Sequence, residues 1–198
     1  KHVQVDGRIR TDPNFPAGFM DVVEIPKAGD QFRLLFDTKG RYTLQKISDE
    51  EKRFKLCRIK KIGYTLKKVP FAVTHDGRTI RYPDPLAKVD DSVKVDIDTG
   101  KIIDIVKFAV GNVAMITKGR NSGRVGIVSK IDVHDGSFNI VTLKDASGAT
   151  FSTRQANVFV LGTGSESVVQ LPKQSGIRAT ILEEAQVAFQ KRKDAGTY

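Results

Sequence analysis

The 198-residue chain has one cysteine, three histidines and no tryptophan. The lone Cys57 excludes an intrachain disulfide and a thiolate metal cage built from this chain alone. No uninterrupted apolar run approaches the about 20 residues that a membrane-spanning helix requires, so the sequence predicts no membrane partner. We therefore expect a soluble protein of a reducing compartment, in which Cys57 is a buried and inert thiol.

Patterns typical of catalysis and metal binding are also scarce. His75 and Asp76 are adjacent, but neighbouring side chains on a strand point to opposite faces, which argues against a base relay. The segment Asp96-Ile97-Asp98-Thr99-Gly100 resembles the start of a calcium loop, but Lys107 occupies the position at which a bidentate glutamate is needed. The histidines are scattered and have no cysteine pair to complete a zinc site. We expect no enzymatic activity, no cofactor, no metal and no small-molecule substrate.

What the sequence does contain is an excess of positive charge. It has 33 basic and 23 acidic residues, a formal net charge of +10. A field of this sign favours a polyanionic partner, such as nucleic acid or an anionic membrane surface. The excess is concentrated between residues 29 and 108, where 18 basic residues accompany 12 acidic ones.

The basic residues between positions 52 and 68 have no acidic residue among them and are interleaved with Phe54 and Tyr64. The ordinary interpretation of such a run is a solvated face. Because acidic neighbours in the sequence are lacking, phosphates are the better candidates to neutralise it. The turn at Asp76-Gly77 is predicted to expose two more arginines. We expect a phosphate-facing strip made of Lys55, Arg58, Lys60, Lys61, Lys67, Lys68, Arg78 and Arg81.

Short apolar segments bounded by turn residues recur along the chain, and no helical periodicity precedes residue 176, so the sequence predicts a mainly β protein. Residues 3–10 predict a hairpin with Asp6-Gly7 at its turn. Near the end, apolar residues at three- and four-residue spacings predict one amphipathic helix; they are Ile177, Ile181, Leu182, Ala185, Ala188 and Phe189. Its basic end either complements the helix dipole or lies on phosphates; it consists of Lys191, Arg192 and Lys193.

The most informative segment lies between Gly111 and Asp145. The apolar runs at 113–116 and 125–128 are joined by a glycine-punctuated, cationic loop at 117–124, which predicts a β-hairpin whose loop a polyanion can approach closely. Its glycine and aliphatic pattern, above all Gly-Arg-Val-Gly-Ile-Val at 123–128, resembles a KOW motif. That motif belongs to small SH3-like barrels of ribosomal proteins and transcription elongation factors. The predicted loop ligands are Lys118, Arg120, Asn121 and Arg124.

Four flanking segments extend the resemblance: TDPNFPAGFMDV at 11–22, DTKGR at 37–41, THDGRTIRYPDP at 74–85 and NVFVLG at 157–162. In this order they resemble the archaeal and eukaryotic small-subunit ribosomal protein family of the "four-e" type, from Lys1 to about Lys193. The resemblance implies four regions: residues 1–28, the tail of an alpha-L type RNA-binding domain whose preceding helices are missing; 29–108, a small central β domain; 109–162, a KOW SH3-like barrel; and 163–198, a linker and the carboxyl-terminal helix.

The resemblance also implies a function. We expect a structural constituent of the small ribosomal subunit, which stabilises ribosomal RNA through phosphate contacts beside neighbouring ribosomal proteins. Its location would be the cytoplasmic ribosome, with nucleolar assembly in a eukaryote. The alternative is a KOW-type protein-docking module of a transcription or ribosome-assembly factor. RNA binding weakens steeply with salt, whereas such docking does not, so salt dependence separates the two.

Overall fold

In the computed structural model, which describes residues 2–172 and 176–194, the chain forms fifteen strands in three antiparallel five-stranded sheets. The sheets follow one another along the chain, and a carboxyl-terminal helix comes after them. The predicted fold class, mainly β with one such helix, is confirmed.

The first sheet has the order β2-β1-β3-β4-β5. Its strands are β1 (Gln4–Val5), β2 (Arg8–Ile9), β3 (Val22–Ile25), β4 (Asp30–Phe36) and β5 (Tyr42–Lys46). Strands β1 and β2 form the predicted hairpin, with Asp6 and Gly7 both in the left-handed region at φ of 49° and 72°, as a tight two-residue turn requires. Because β3 pairs with β4, the boundary predicted between residues 28 and 29 falls in a turn inside one sheet.

The second sheet has the order β10-β9-β6-β7-β8. Its strands are β6 (Phe54–Tyr64), β7 (Pro70–Thr74), β8 (Thr79–Arg81), β9 (Ser92–Asp96) and β10 (Ile102–Val106). The first half of β6 pairs with β9 and the second half with β7, and the register of the β6–β7 pair shifts between Ile59 and Lys61. A bulge of this kind bends a strand, so β6 changes partner along its length.

The third sheet has the order β14-β13-β12-β11-β15. Its strands are β11 (Val113–Ile116), β12 (Val125–Asp132), β13 (Ile140–Lys144), β14 (Thr150–Arg154) and β15 (Val158–Val160). The predicted hairpin is confirmed, because β11 pairs antiparallel with β12 and places Ala114 opposite Gly126. Because its hairpin is the one that resembles a KOW motif, we call the third sheet the KOW segment and residues 117–124 the KOW loop.

A shared hydrophobic core joins the three sheets. It contains Met20 and Leu35 from the first sheet region, Leu56 from β6, and Met115 and Phe159 from the third sheet. Strand β11 is buried on both faces: Val113 and Met115 pack into the shared core, whereas Ala114 and Ile116 pack into the separate core of the KOW segment. This explains why its sequence is a continuous apolar run.

The helix α1 (Ile181–Asp194) confirms that a helix forms here, but Ile177, the first residue of the predicted apolar face, lies before its start. Thr180 and Glu183 form a capping box, in which each side chain accepts a hydrogen bond from the other residue's backbone N–H. Among the described side chains, the apolar ones of α1 are exposed instead of packed, with Ile181 87% and Leu182 76% exposed. No helix within the described residues has the length and apolar character needed to cross a membrane.

Candidate nucleic-acid interface

The predicted basic strip divides into residues that are paired inside the protein and residues that are exposed and unpaired. Lys55 is only 1% exposed, and its Nζ atom contacts carboxylate oxygens of Asp6 at 2.9 Å, of Asp76 at 3.2 Å and of Asp21. The prediction that Lys55 faces phosphate is therefore wrong. Its neighbours in the sequence are not acidic, but the fold brings three acidic residues from other segments around it.

The electrostatics of this cluster favour the charged forms. Burial alone would lower the pKa of Lys55, but the carboxylates of Asp6 and Asp21 outweigh burial and raise it. Burial alone would raise the pKa of Asp76, but the Lys55 ammonium and the Thr74 hydroxyl outweigh it and hold that pKa well below its usual range.

Arg78 requires the same correction as Lys55. Its Nη2 atom lies 2.8 Å from Asp6 and its Nε atom 2.8 Å from Asp76. Burial acts to lower its pKa, but the Asp76 carboxylate outweighs burial and raises it. The positive charge of Arg78, which was predicted to contact phosphate, is therefore paired within the protein. We do not include Arg78 in the candidate interface.

Arg58 connects the second sheet to the third and is also removed from the interface. Its Nη1 atom donates hydrogen bonds to the backbone carbonyls of Ala156 at 2.6 Å and Val158 at 2.9 Å. Its Nε atom lies 3.9 Å from a carboxylate oxygen of Asp90. Burial lowers its pKa and Asp90 opposes that effect. The guanidinium is occupied by these internal partners, so it is a structural bridge.

Within the KOW loop, Arg124 is the third arginine to be reassigned. Its Nη2 atom donates to Asp145 at 2.8 Å, and its guanidinium lies 3.8 Å from the centroid of the Phe151 ring. Burial acts to raise the pKa of Asp145, but hydrogen bonds from Ser147 and Arg124 outweigh it and lower that pKa. Arg124 therefore holds the loop against the third sheet and does not project into solvent.

The other predicted members of the loop remain accessible. Lys118 and Arg120 are exposed, and Asn121 is half-buried with its amide nitrogen 3.4 Å from the Ser152 carbonyl. The loop is held firmly at Gly123, where φ is +83° and an added Cβ would lie 1.8 Å from the Asp37 carbonyl oxygen. Only glycine allows the loop backbone to approach the turn between β4 and β5 so closely.

The second sheet carries the remaining predicted cations, all exposed: Lys60, Lys61, Lys67, Lys68 and Arg81. Within residues 2–172 and 176–194, none of these five, nor Lys118 or Arg120, forms an ion pair. On α1, Arg192 and Lys193 are exposed as well. The predicted Lys191 has a side chain that lies outside the described residues. We call these seven predicted cations, which form no ion pair among the described residues, the open cations.

Cys57, His75 and Asp76 lie close enough together to suggest a metal site, with one ligand atom of each within 4.8 Å of the others. The hydrogen bonds argue against it. His75 Nδ1 accepts from the Arg58 backbone N–H at 3.2 Å, so Nε2 carries the proton and donates to the Phe19 carbonyl at 3.1 Å. Burial lowers the pKa of His75, and burial together with Asp76 raises that of the Cys57 thiol. Cys57 is buried, as predicted.

Two open cations from different sheets meet at one cleft. Lys60 of β6 and Lys118 of the KOW loop both line a cavity of about 460 Å³, together with Tyr42 of β5. Sequence reasoning missed Tyr42, because a single tyrosine on a short strand with polar neighbours carries no functional signal. It is 56% exposed.

Comparisons with known proteins agree with this architecture. Three family models match: Ribosomal family S4e over residues 28–102, the KOW motif over 110–144 and the 40S ribosomal protein S4 C-terminus over 145–192. The small ribosomal subunit proteins eS4 of Spodoptera frugiperda and Bombyx mori are 56% and 55% identical over 182 residues. Each alignment covers 92% of this chain and 69% of the relative.

A solved structure shows the same fold. The crystal structure of the 30S ribosomal protein S4e from Thermoplasma acidophilum matches with a TM-score of 0.72 and 34% identity, covering 84% of this chain and 83% of that one. Fold and matches together define a KOW-containing ribosomal protein. The chain belongs to the ribosomal S4e family.

Proposed function

We propose that this protein is a structural constituent of the small ribosomal subunit and that it binds ribosomal RNA through the open cations. The observation that carries the proposal is the division of the basic residues into two sets. Lys55, Arg58, Arg78 and Arg124 are engaged by internal partners, whereas the open cations have no ion-pair partner among the described residues. The names of the insect relatives support the same assignment.

Phosphate contact is the chemistry that suits such a surface. Each phosphate neutralised by a lysine or arginine releases condensed counterions, which drives association and makes it depend on salt. Contacts of this type position a protein on folded RNA without reading base sequence. The rigid three-sheet scaffold fixes the spacing of the cations, so the protein would stabilise one RNA shape by offsetting phosphate repulsion. No catalysed reaction is needed for this role.

We propose neighbouring small-subunit proteins as the second class of partner. The proposed location is the ribosome in the cytoplasm, and in a eukaryote the protein would be assembled into the subunit in the nucleolus. The competing function is a protein-docking module of a transcription or assembly factor, which would present an apolar or acidic patch around the KOW loop. The exposed residues Lys118 and Arg120 make this surface cationic instead, which favours an anionic polymer as the partner.

Co-sedimentation tests the proposed function. The full chain is incubated with small ribosomal subunits from which this protein has been removed, and the particles are then washed at increasing salt. We expect the protein to pellet with the particles at low salt and to be released at high salt. Binding that persists unchanged at high salt, or no association at all, would contradict the proposal.

A further inference from the structure

The cleft that contains Tyr42 lies where the three sheets meet. Its walls come from the first sheet through Tyr42 and Phe36, from the second through Lys60, and from the third through Lys118 and Phe159. Its volume of about 460 Å³ lies within the range of roughly 300–1,000 Å³ that is typical of small-ligand sites. The contacts between the sheets, not any single motif, therefore create this cavity.

An aromatic stack runs from the shared core to the mouth of the cleft. Phe159 meets Phe19 edge-on with ring centroids 5.0 Å apart, Phe19 stacks on Phe36 at 5.2 Å, and Phe36 stacks on Tyr42 at 4.7 Å. Tyr42 is the outermost member and more than half exposed. One face of its ring is supported by Phe36, and the other is available to a flat ligand.

The charge at the cleft is positive where it is accessible. Lys60 and Lys118 are exposed and unpaired among the described residues. The two carboxylates in the wall, Asp21 and Asp76, are already bound by Lys55. A ligand entering the cleft therefore meets two free ammonium groups and an aromatic face. Asp76 is also bound by Arg78, so the cations Lys55 and Arg78 offset most of the negative charge in this wall.

We propose that this cleft binds one unstacked nucleotide of a single-stranded or looped RNA segment. The base lies against the open face of Tyr42, and the phosphates on either side of it contact Lys60 and Lys118. Stacking of splayed-out bases on aromatic side chains is the usual way in which proteins hold unpaired RNA. The proposal rests on the proposed function, and it adds a site that distinguishes unpaired from double-stranded RNA.

The experiment measures binding of the full chain to two fluorescent probes: a ten-nucleotide oligoadenylate and a blunt RNA duplex. Each is titrated at three salt concentrations. We expect Tyr42→Ala to weaken oligoadenylate binding about 10-fold, as loss of one stacked base implies, and Tyr42→Phe to keep it. The salt slope should not change with either variant, because stacking releases no counterions, and duplex binding should also be unaffected.

Two further variants complete the test. Tyr64→Ala removes an exposed tyrosine outside the cleft and should leave oligoadenylate binding unchanged. Lys60→Ala combined with Lys118→Ala should lower the magnitude of the salt slope by about 1.4, which corresponds to two phosphate contacts on a single strand. Urea unfolding of each variant shows whether its fold is retained.

The outcomes separate the two proposals. If the protein binds the duplex in a salt-dependent way but Tyr42→Ala behaves like Tyr64→Ala, the nucleotide site is wrong and the proposed function stands. If neither probe binds, the nucleotide proposal is wrong, and the co-sedimentation assay decides the proposed function separately. If an acidic peptide such as oligoglutamate occupies the cleft and displaces no RNA, the cleft is a protein-docking site and the nucleotide proposal is overturned.

Discussion

The Nζ atom of Lys55 lies 2.9 Å from the Oδ2 atom of Asp6, a residue 49 positions earlier in the chain. This contact joins β6 of the second sheet to the turn between β1 and β2 of the first. Asp6 also accepts a hydrogen bond from the Val22 backbone N–H through its other oxygen. A lysine in the middle of a basic run is thus part of the internal framework.

Removal of Lys55 should destabilise the fold without changing the RNA-binding surface. Lys55→Met leaves the carboxylates of Asp6, Asp21 and Asp76 facing one another in a buried site. The free energy of unfolding in urea should therefore fall by about 3–5 kcal/mol. Lys60→Met, on the exposed part of the same strand, is the matched control and should change it by no more than about 0.5 kcal/mol. Equal effects of the two substitutions would contradict the assignment of Lys55.

The pH dependence of stability should report His75, which is partly buried. Its pKa is lowered in the folded state by burial, so below the unfolded value of about 6.5 the unfolded chain binds the extra proton more readily. Stability is therefore fully present above about pH 6.5 and is lost as the pH falls toward the folded pKa. Asp76, whose pKa is also lowered, adds a further loss as the pH falls below about 4.

The measurement for His75 is urea unfolding between about pH 5 and 7.5. The wild-type free energy of unfolding should decrease toward pH 5, and His75→Gln should show a flatter profile over that interval. His134→Gln changes an exposed histidine in the turn after β12 and should retain the wild-type profile. A profile for His75→Gln as steep as the wild type would rule out His75 as the titrating group.

Two glycines of the KOW loop provide a matched pair. Gly119 and Gly123 have nearly the same backbone angle, φ of +84° and +83°. Alanine at either position costs about 1–2 kcal/mol of left-handed strain. At Gly123 the new Cβ would also overlap the Asp37 carbonyl, whereas at Gly119 it would make an ordinary contact at 3.5 Å.

Gly123→Ala should therefore lower the free energy of unfolding by about 1–3 kcal/mol more than Gly119→Ala does. Thermal or urea unfolding of the two variants measures the difference directly. If the free energy of unfolding falls equally in the two variants, the close approach of the loop to the turn between β4 and β5 does not contribute to stability.

The two arginines of the KOW loop should have separable roles. Arg124→Ala leaves a buried Asp145 oxygen without its partner and should reduce stability by about 1–3 kcal/mol. Arg120→Ala should leave stability unchanged within about 0.5 kcal/mol and should lower the salt slope of RNA binding by about 0.7–0.9. Unfolding curves and salt titrations on both variants test this. If Arg120→Ala lost stability and Arg124→Ala lowered only the salt slope, Arg120 would be the structural residue and Arg124 the RNA contact.

Much of the local structure could be predicted from the sequence. The hairpin at residues 3–10, the KOW hairpin and α1 all carry local signals, namely Asp-Gly turn chemistry, paired apolar runs and helical spacing. The accessible KOW loop and the exposed side chains of Lys67 and Lys68 follow from the same patterns, because turn residues lie at the surface.

The internal partners of Lys55 and Arg58 could not be predicted. Their partners lie far away in the sequence: Asp6 is 49 positions from Lys55, and the carbonyls of Ala156 and Val158 are 98 and 100 positions from Arg58. A local absence of acidic residues therefore says little about the tertiary surroundings of a cation. The Tyr42 cleft was missed for the same reason, because it exists only where the three sheets meet.

Lysine acetylation of the protein, free and within the small ribosomal subunit, followed by mass spectrometry, tests whether the open cations face RNA. We expect the five lysines among the open cations to react readily in the free protein and to be protected in the particle, whereas Lys55 should react in neither. If those five lysines were as reactive in the particle as in the free protein, the open cations would not face RNA, and the proposed function would be contradicted.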